Sequence, residues 1–149
     1  MTKAARNFIL IMAALVLCAF ASKIFWDDYQ MKRAMAQNPK VVGLLNQIEP
    51  FPTSSRVPSE YEGPSTNEYA SSVWRYYRAN SKCSDVQAHL DAEAVRNGFE
   101  FESVQRYSGN KEVFHQRGEY EMRALFEPQT DGVCSYAVSV NWYAANWID

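Results

Sequence analysis

The stretch Ser84–Phe101, SDVQAHLDAEAVRNGFEF, decides the fold class of this chain, because two hydrophobic periodicities meet within it at Gly98. Before Gly98, apolar residues recur at helical spacing and form one narrow stripe, made of Val86, Leu90 and Ala94. After Gly98, two phenylalanines alternate with two glutamates, which is the two-residue period of a β-strand. The stretch therefore predicts a helix that is followed directly by a strand.

The boundaries of this helix are predicted at Asp85 and Asn97. Ser84 is a favourable N-cap residue, and Gln87 three positions later completes the pattern of a capping box. Gly98 suits the left-handed position that commonly follows the last turn of a helix. Because the apolar stripe is narrow, we expect the helix to lie on one face of a sheet.

Five segments around the helix have strand-like patterns. The first, Ser71–Ala79, is rich in aromatic and β-branched residues, and its aromatic side chains fall on both faces. The other four follow the helix and cover residues 99–107, 112–117, 120–126 and 134–142. The order β-α-β-β-β-β predicts an α+β domain over residues 68–149, in which one helix packs on an antiparallel sheet of about five strands.

The N-terminal stretch Phe8–Trp26, FILIMAALVLCAFASKIFW, is the only segment apolar enough to enter a lipid bilayer. Its uncharged part, Phe8–Ala21, has 14 residues, whereas a helix needs about 20 residues to span the hydrocarbon. Lys23 can carry its charge to the interface while its stem stays in apolar surroundings. The span then extends to Trp26, and we interpret residues 1–26 as a membrane anchor.

A cleaved signal peptide is the alternative interpretation of the same residues. Lys3 and Arg6 form a basic n-region, and Ala19–Ala21 supplies a small-x-small cleavage site. Cleavage there would release a secreted protein. We favour the anchor because apolar residues continue beyond Ala21.

Two cysteines follow the membrane segment, and we predict that Cys83 and Cys134 form a disulfide bond. The bond would close a loop of about 50 residues and stabilise the fold by roughly 4 kcal/mol on the chain-entropy model. Lys and Arg residues flank the apolar segment on both sides, so their count does not decide orientation. The cysteine pair favours a cytoplasmic N-terminus and a periplasmic or extracellular domain. If both cysteines were instead buried free thiols, we would expect the domain on the cytoplasmic side.

Two segments connect the anchor to the domain. Residues 27–48 have helical composition interrupted at Pro39, and the apolar stripe after it is expected to dock on the domain: Val41, Leu44, Leu45 and Ile48. Residues 49–67 are rich in Pro and Ser and are interpreted as a linker, or as an extended tether lying across the domain surface.

Candidate site residues are few. His89 and Glu93 lie four residues apart on one face of the predicted helix, but two ligands are a weak basis for a metal site, and a solvated helix face is the simpler interpretation. His115 has no partner identifiable from the sequence. We predict no catalytic residue, cofactor or metal.

Composition restricts the function classes. The net charge of -2 and the pI near 5.7 argue against a nucleic-acid partner held by phosphate contacts. Aromatic residues make up 14% of the chain, which is typical of an aromatic β core or, if several rings face solvent, of a binding surface. The partners expected are the bilayer and another membrane or envelope protein.

Two functional hypotheses follow. The first is a membrane-tethered extracytoplasmic interaction module that acts as an assembly, inhibitor or immunity-type partner. The second is a small ligand-binding domain or enzyme whose site is assembled from distant residues. A flat aromatic patch on the sheet would favour the first hypothesis. A deep pocket that joins a histidine to carboxylates would favour the second.

Overall fold

The computed structural model describes residues 3–60, 62–67, 69–128 and 132–144, so residues 145–149 of the predicted domain lie outside the described part. Three helices and seven strands follow one another in chain order: α1 Lys3–Met35, α2 Asn38–Gln47, β1 Ser54–Val57, β2 Gly63–Thr66, β3 Ala70–Ala79, α3 Cys83–Arg96, β4 Glu100–Tyr107, β5 Asn110–Arg117, β6 Tyr120–Phe126 and β7 Cys134–Tyr143.

The seven strands form one antiparallel sheet in the order β1-β3-β7-β6-β5-β4, and β2 pairs with β3 beside β1. The α+β class with an antiparallel sheet is confirmed, but the predicted number of about five strands is wrong. The two additional strands, β1 and β2, come from the segment that we interpreted as a linker. Each has four residues and pairs only with β3, so each is an edge strand. A proline such as Pro64 is tolerated in an edge strand.

The hydrophobic core lies between the sheet and the helices α2 and α3. The apolar stripe of α3 is completely buried, as its spacing predicted, and the docking stripe of α2 contributes Val41, Leu45 and Ile48. On the sheet, the core residues of β7 are those that the sequence placed on one face: Cys134, Tyr136, Val138, Val140 and Trp142. The helices thus cover one face of the sheet.

The helix α3 begins two residues before the predicted Asp85 and ends one residue before the predicted Asn97. The helix begins at Cys83, and Lys82 occupies the N-cap position without a side-chain hydrogen bond. Ser84 is therefore not the cap, and its hydroxyl donates to the Asp85 carboxylate at 3.2 Å. At the other end, Gly98 has a φ of 77°, the left-handed conformation expected after a helix.

Cys83 and Cys134 form a disulfide bond, which confirms the predicted pair. The bond links the first residue of α3 to the first residue of β7, 51 positions later. It holds the start of the helix on the central part of the sheet, and Cys134 is fully buried.

The helix α1 is long and apolar enough to span a membrane. From Leu10 to Trp26, its large apolar side chains lie on all sides of the helix and are uncovered; Leu17 is 69% and Phe25 75% exposed. A helix that is apolar on every side needs an apolar environment. Among the described residues of α1, those in its last turns lie against the domain: Gln30 and Ala34 are buried, and the guanidinium carbon of Arg33 lies 5.3 Å from the Trp142 ring centroid.

Candidate interaction surface

The sheet has a second face, which we call the open face because the helices in the described part of the chain lie against the other one. Alternation along the strands places on it Trp74 and Tyr76 from β3, Phe114 from β5, Arg123 from β6 and Tyr143 from β7. Phe114 is buried although it is not part of the hydrophobic core. The Arg123 side chain lies over its ring.

One row of side chains crosses four strands of the open face. The strand register places Trp74 opposite Ser139, Ser139 opposite Arg123, and Arg123 opposite Phe114. Because the Ser139 side chain is small, Trp74 and Arg123 meet above it. The guanidinium carbon of Arg123 lies 5.8 Å from the Trp74 ring centroid and 4.9 Å from the Phe114 ring centroid. Both distances are within the range of a cation–π contact.

The guanidinium of Arg123 also has polar partners on β6 and β7. Its Nη2 lies 3.2 Å from Glu121 Oε1 and 3.4 Å from the Tyr143 hydroxyl, and Asn141 donates to the same Glu121 oxygen at 3.1 Å. Burial, with Glu121 nearby, raises the pKa of Tyr143 above its ordinary value and keeps the phenol protonated. The row is therefore held in one arrangement before any partner binds.

A further ring lies at the outer edge of the open face. The Tyr107 hydroxyl donates to Glu112 Oε1 at 3.0 Å, and this hydrogen bond raises the pKa of Tyr107. Tyr107 is 51% exposed, whereas Glu112 is buried. Aromatic side chains thus extend across the sheet from β3 to β4, with charged and hydroxyl groups between them.

Two cavities open beside Tyr76. The smaller, about 100 Å³, lies over Ala137 between Tyr76 and Leu125. The larger, about 490 Å³, lies on the β2 side and is lined by Trp74 and by the carboxylates Glu60 and Glu62. Arg56 forms hydrogen bonds of 3.1 and 2.9 Å with both oxygens of Glu62, and these lower the pKa of that carboxyl.

The structure places His89 and Glu93 together, but both contact the chain segment that follows α2. The ring of His89 lies 3.0 Å from the Glu49 carbonyl oxygen and edge-on to Phe51, with ring centroids 5.6 Å apart. Glu93 accepts a hydrogen bond from the Glu49 backbone N–H at 3.1 Å and pairs with Arg96 at 2.6 Å. The two side chains therefore dock residues 49–51 on α3.

His115 lies in the interior, 1% exposed, beneath the seam between α3 and β4. Its Nε2 is 3.3 Å from Asp91 Oδ1, a partner that the sequence did not reveal. Burial lowers the pKa of His115, and Asp91 opposes this shift only in part. His115 and His89 thus occupy separate places, and among the described residues no group of three or more His, Cys, Asp or Glu is arranged to hold a metal ion.

Sequence reasoning missed the Arg123 row. Arg123 and Glu121 alternate with apolar residues in β6, a pattern that separates them from the core face but does not indicate what they contact. The available signal was the pair Trp74 and Tyr76 on the opposite face of β3 from Tyr77, which showed that this strand has no purely polar face. The row itself depends on strand register. No protein-family model, curated protein or solved structure matches this chain.

Proposed function

We propose that this chain is a membrane-tethered extracytoplasmic interaction module, which binds another membrane or envelope protein through the open face of its sheet. The observation that carries the proposal is the fixed row of Trp74, Arg123 and Phe114 on a face that no described helix covers. Aromatic and arginine side chains are the residues that contribute most to binding energy at protein interfaces.

The arrangement of the row supports binding with a small entropic cost. Long side chains lose rotamer freedom when an interface forms, at about 0.5–1.5 kcal/mol for each side chain that becomes immobilised. Arg123 is already stacked between two rings and paired with Glu121. A partner that covers this row does not need to order it first.

The small cavity beside the row supports one feature of the partner. Its volume of about 100 Å³ suits a single apolar side chain, and Val57, Tyr76 and Leu125 form its walls. Interfaces commonly contain such an anchor residue seated in a pocket. We therefore propose a partner loop that inserts one aliphatic or aromatic side chain over Ala137 and stacks polar groups on the Arg123 row.

The proposed compartment is supported by the disulfide bond and by the exposed apolar helix. Disulfide bonds persist in oxidising compartments and are rare in the cytosol. With α1 in the membrane and its N-terminus in the cytoplasm, the domain lies on the outer side. In sealed cells or spheroplasts, protease added outside should remove the domain, and alkaline carbonate should not extract the protein. Protection of the domain in intact spheroplasts would overturn the proposed orientation.

The interaction itself is tested with the full chain in its native membranes. A photo-crosslinking amino acid replaces Tyr76 or Tyr107 on the open face, and Ala88, an exposed residue of α3, serves as the matched control position. We expect a discrete adduct from both open-face positions, and its loss when Leu125→Arg blocks the small cavity. Equal labelling from Ala88, or no adduct from either open-face position, would overturn the proposal.

A small-ligand site is the second candidate, and the larger cavity favours it. Two rings and two carboxylates around about 490 Å³ suit a ligand that carries hydroxyl or cationic groups. Such a ligand should be retained by the detergent-purified protein and released from a Trp74→Ala variant. If the bound ligand leaves the crosslinked adducts from the open face unchanged, ligand binding and the protein interaction are separate functions.

A further inference from the structure

A separate cavity of about 330 Å³ lies on the helix side of the molecule, between α2 and the hairpin that joins β5 to β6. It is lined by Lys40, Gly43, Leu44, Gln47, Arg117 and Tyr120. None of these residues belongs to the open face. We call this space the basal cavity, because it lies at the end of the sheet where α1 docks.

The basal cavity is positively charged. Lys40 and Arg117 are both exposed cations, and no carboxylate is among the residues that line the cavity. Within the part of the chain that the structure describes, the Arg117 guanidinium makes one hydrogen bond, donated by Nη1 to the Asn97 carbonyl oxygen at 2.9 Å, which leaves further N–H donors. Among the described residues, neither cation takes part in an ion pair with an acidic side chain.

The acidic residue of the same hairpin is engaged elsewhere. Glu119 accepts a hydrogen bond from Arg33 at 3.4 Å through one oxygen and from the Trp142 indole N–H at 3.3 Å through the other. It therefore joins α1 to the sheet and does not neutralise Lys40 or Arg117. The two cations of the cavity therefore remain available to a ligand.

The remaining lining of the basal cavity is apolar or lacks a side chain. Leu44 and Tyr120 supply apolar surface, and a Cβ atom at Gly43 would meet nothing within 4 Å. The Tyr120 hydroxyl donates to Gln37 at 2.9 Å, so its ring is held in place. A ligand that combines an anionic group with an apolar part fits this lining.

The position of the cavity specifies where such a ligand comes from. Arg33 lies seven residues after Trp26, the end of the apolar span, which corresponds to a helical rise of about 10 Å. Through Glu119 the same turn of α1 contacts the hairpin that carries Arg117. With α1 in a bilayer, the basal cavity therefore lies just beyond the layer of lipid headgroups. Guanidinium and ammonium groups at this position form charge-assisted hydrogen bonds with a lipid phosphate.

We propose that the basal cavity binds the phosphate group of an anionic phospholipid, with Lys40 and Arg117 on the phosphate and Leu44 and Tyr120 against the glycerol and upper acyl chain. The proposal rests on the membrane tether but is independent of the protein partner. Its function would be to hold the domain against the bilayer in one orientation, and so to direct the open face.

The test uses the full chain in a neutral detergent. The protein is titrated with short-chain phosphatidylglycerol, phosphatidylcholine or inorganic phosphate. Native mass spectrometry measures the lipid that the protein retains. Four variants are compared: Lys40→Gln, Arg117→Gln, Gly43→Phe and Arg106→Gln. Each cation in contact with the phosphate should contribute about tenfold to affinity. Gly43→Phe keeps both charges but fills the cavity, and Arg106→Gln removes an exposed cation elsewhere.

We expect preferential retention of phosphatidylglycerol, reduced about tenfold by each of the first three variants and unchanged in Arg106→Gln. Equal retention of phosphatidylcholine, or full retention by Gly43→Phe, would overturn the proposal. Displacement of phosphatidylglycerol by inorganic phosphate at equal concentration would assign the cavity to a free anion and would also overturn it. Extraction of the protein by carbonate would refute the tether itself, so the two failures are distinguishable.

Discussion

The carboxylate of Glu93 accepts a hydrogen bond from the backbone N–H of Glu49, at 3.1 Å, across 44 positions of the chain. This contact fixes the segment that leaves α2 on the surface of α3. Glu93 is 6% exposed, so the bond lies in a largely desolvated place. A residue that suggested a metal ligand in the sequence thus has a structural role.

Removal of the Glu93 carboxylate should destabilise the domain. Glu93→Ala leaves a backbone N–H without its acceptor and removes one of the two carboxylates that pair with Arg96, so we expect a loss of about 1–3 kcal/mol in the free energy of unfolding. Glu93→Gln retains an acceptor oxygen and should lose less. Urea unfolding of the full chain in detergent measures both, with Glu100→Ala, an exposed carboxylate, as the control. Equal stability of Glu93→Ala and Glu100→Ala would contradict this role.

The disulfide bond should contribute strongly to stability. Replacing Cys83 and Cys134 by serine is expected to lower the free energy of unfolding by about 2–5 kcal/mol, because the open chain gains conformational freedom. Cys18→Ser, which alters the exposed free cysteine of α1, should have little effect. Non-reducing mass spectrometry of the native protein should find the linked peptides. Alkylation of both thiols before reduction would contradict the bond.

His115 should make the stability of the domain depend on pH. Burial places its pKa in the folded state below the ordinary value of 6.5, so the unfolded chain takes up a proton first as the pH falls. The contribution of His115 to the free energy of unfolding is therefore fully present above pH 6.5. It decreases as the pH falls from 6.5 toward the lower pKa of the folded state. The free energy of unfolding measured across this range should show the decrease.

The matched variants separate His115 from the other histidine. His115→Gln removes the titrating group and should flatten the pH dependence between the two pKa values. His89→Gln, which alters a histidine ring at the surface of α3, is the matched control variant. An unaltered profile in His115→Gln would assign the pH dependence to other groups.

Arg123 should be important for both stability and binding. Arg123→Met leaves Glu121 without its cation and removes the cation–π contacts. Because the Arg123 side chain is only one-quarter exposed, we expect a loss of about 1–3 kcal/mol in the free energy of unfolding. Arg123→Lys keeps the charge but lacks the planar group that stacks on Trp74 and Phe114, so it should lose part of this stability. Thermal unfolding measures the series. Arg78→Met, at an exposed position of the same face, is the control, and equal losses at the two positions would argue against the stack.

The main elements of the domain were predictable because their signals are local. The stripe of α3, the alternation in β7 and the two cysteines after the membrane segment each depend on spacing along the chain. Side chains at those spacings share a face whatever the rest of the fold does. The N-cap of α3 was not predictable in the same way, because Cys83 is bonded to Cys134 and the helix begins two residues earlier than Ser84 indicated.

The strands β1 and β2 escaped prediction because their sequences resemble a linker. Each is short, and the segment around them contains several prolines, which argue against a central strand. Both pair with the outer edge of β3, where only one side of each strand needs hydrogen-bond partners. The long, aromatic strand β3 therefore decides their conformation, and their own residues do not.

By itself, the sequence determined the α+β class, the helix α3, the larger strands, the cysteine pair and the presence of one long apolar helix, because periodicity and composition are properties of neighbouring residues. Only the tertiary structure decided that Trp74, Arg123 and Phe114 form one row, since that contact depends on the register of four strands. It also decided that Lys40 and Arg117 share a cavity. Both arrangements join residues far apart in the chain, and local spacing carries no information about them.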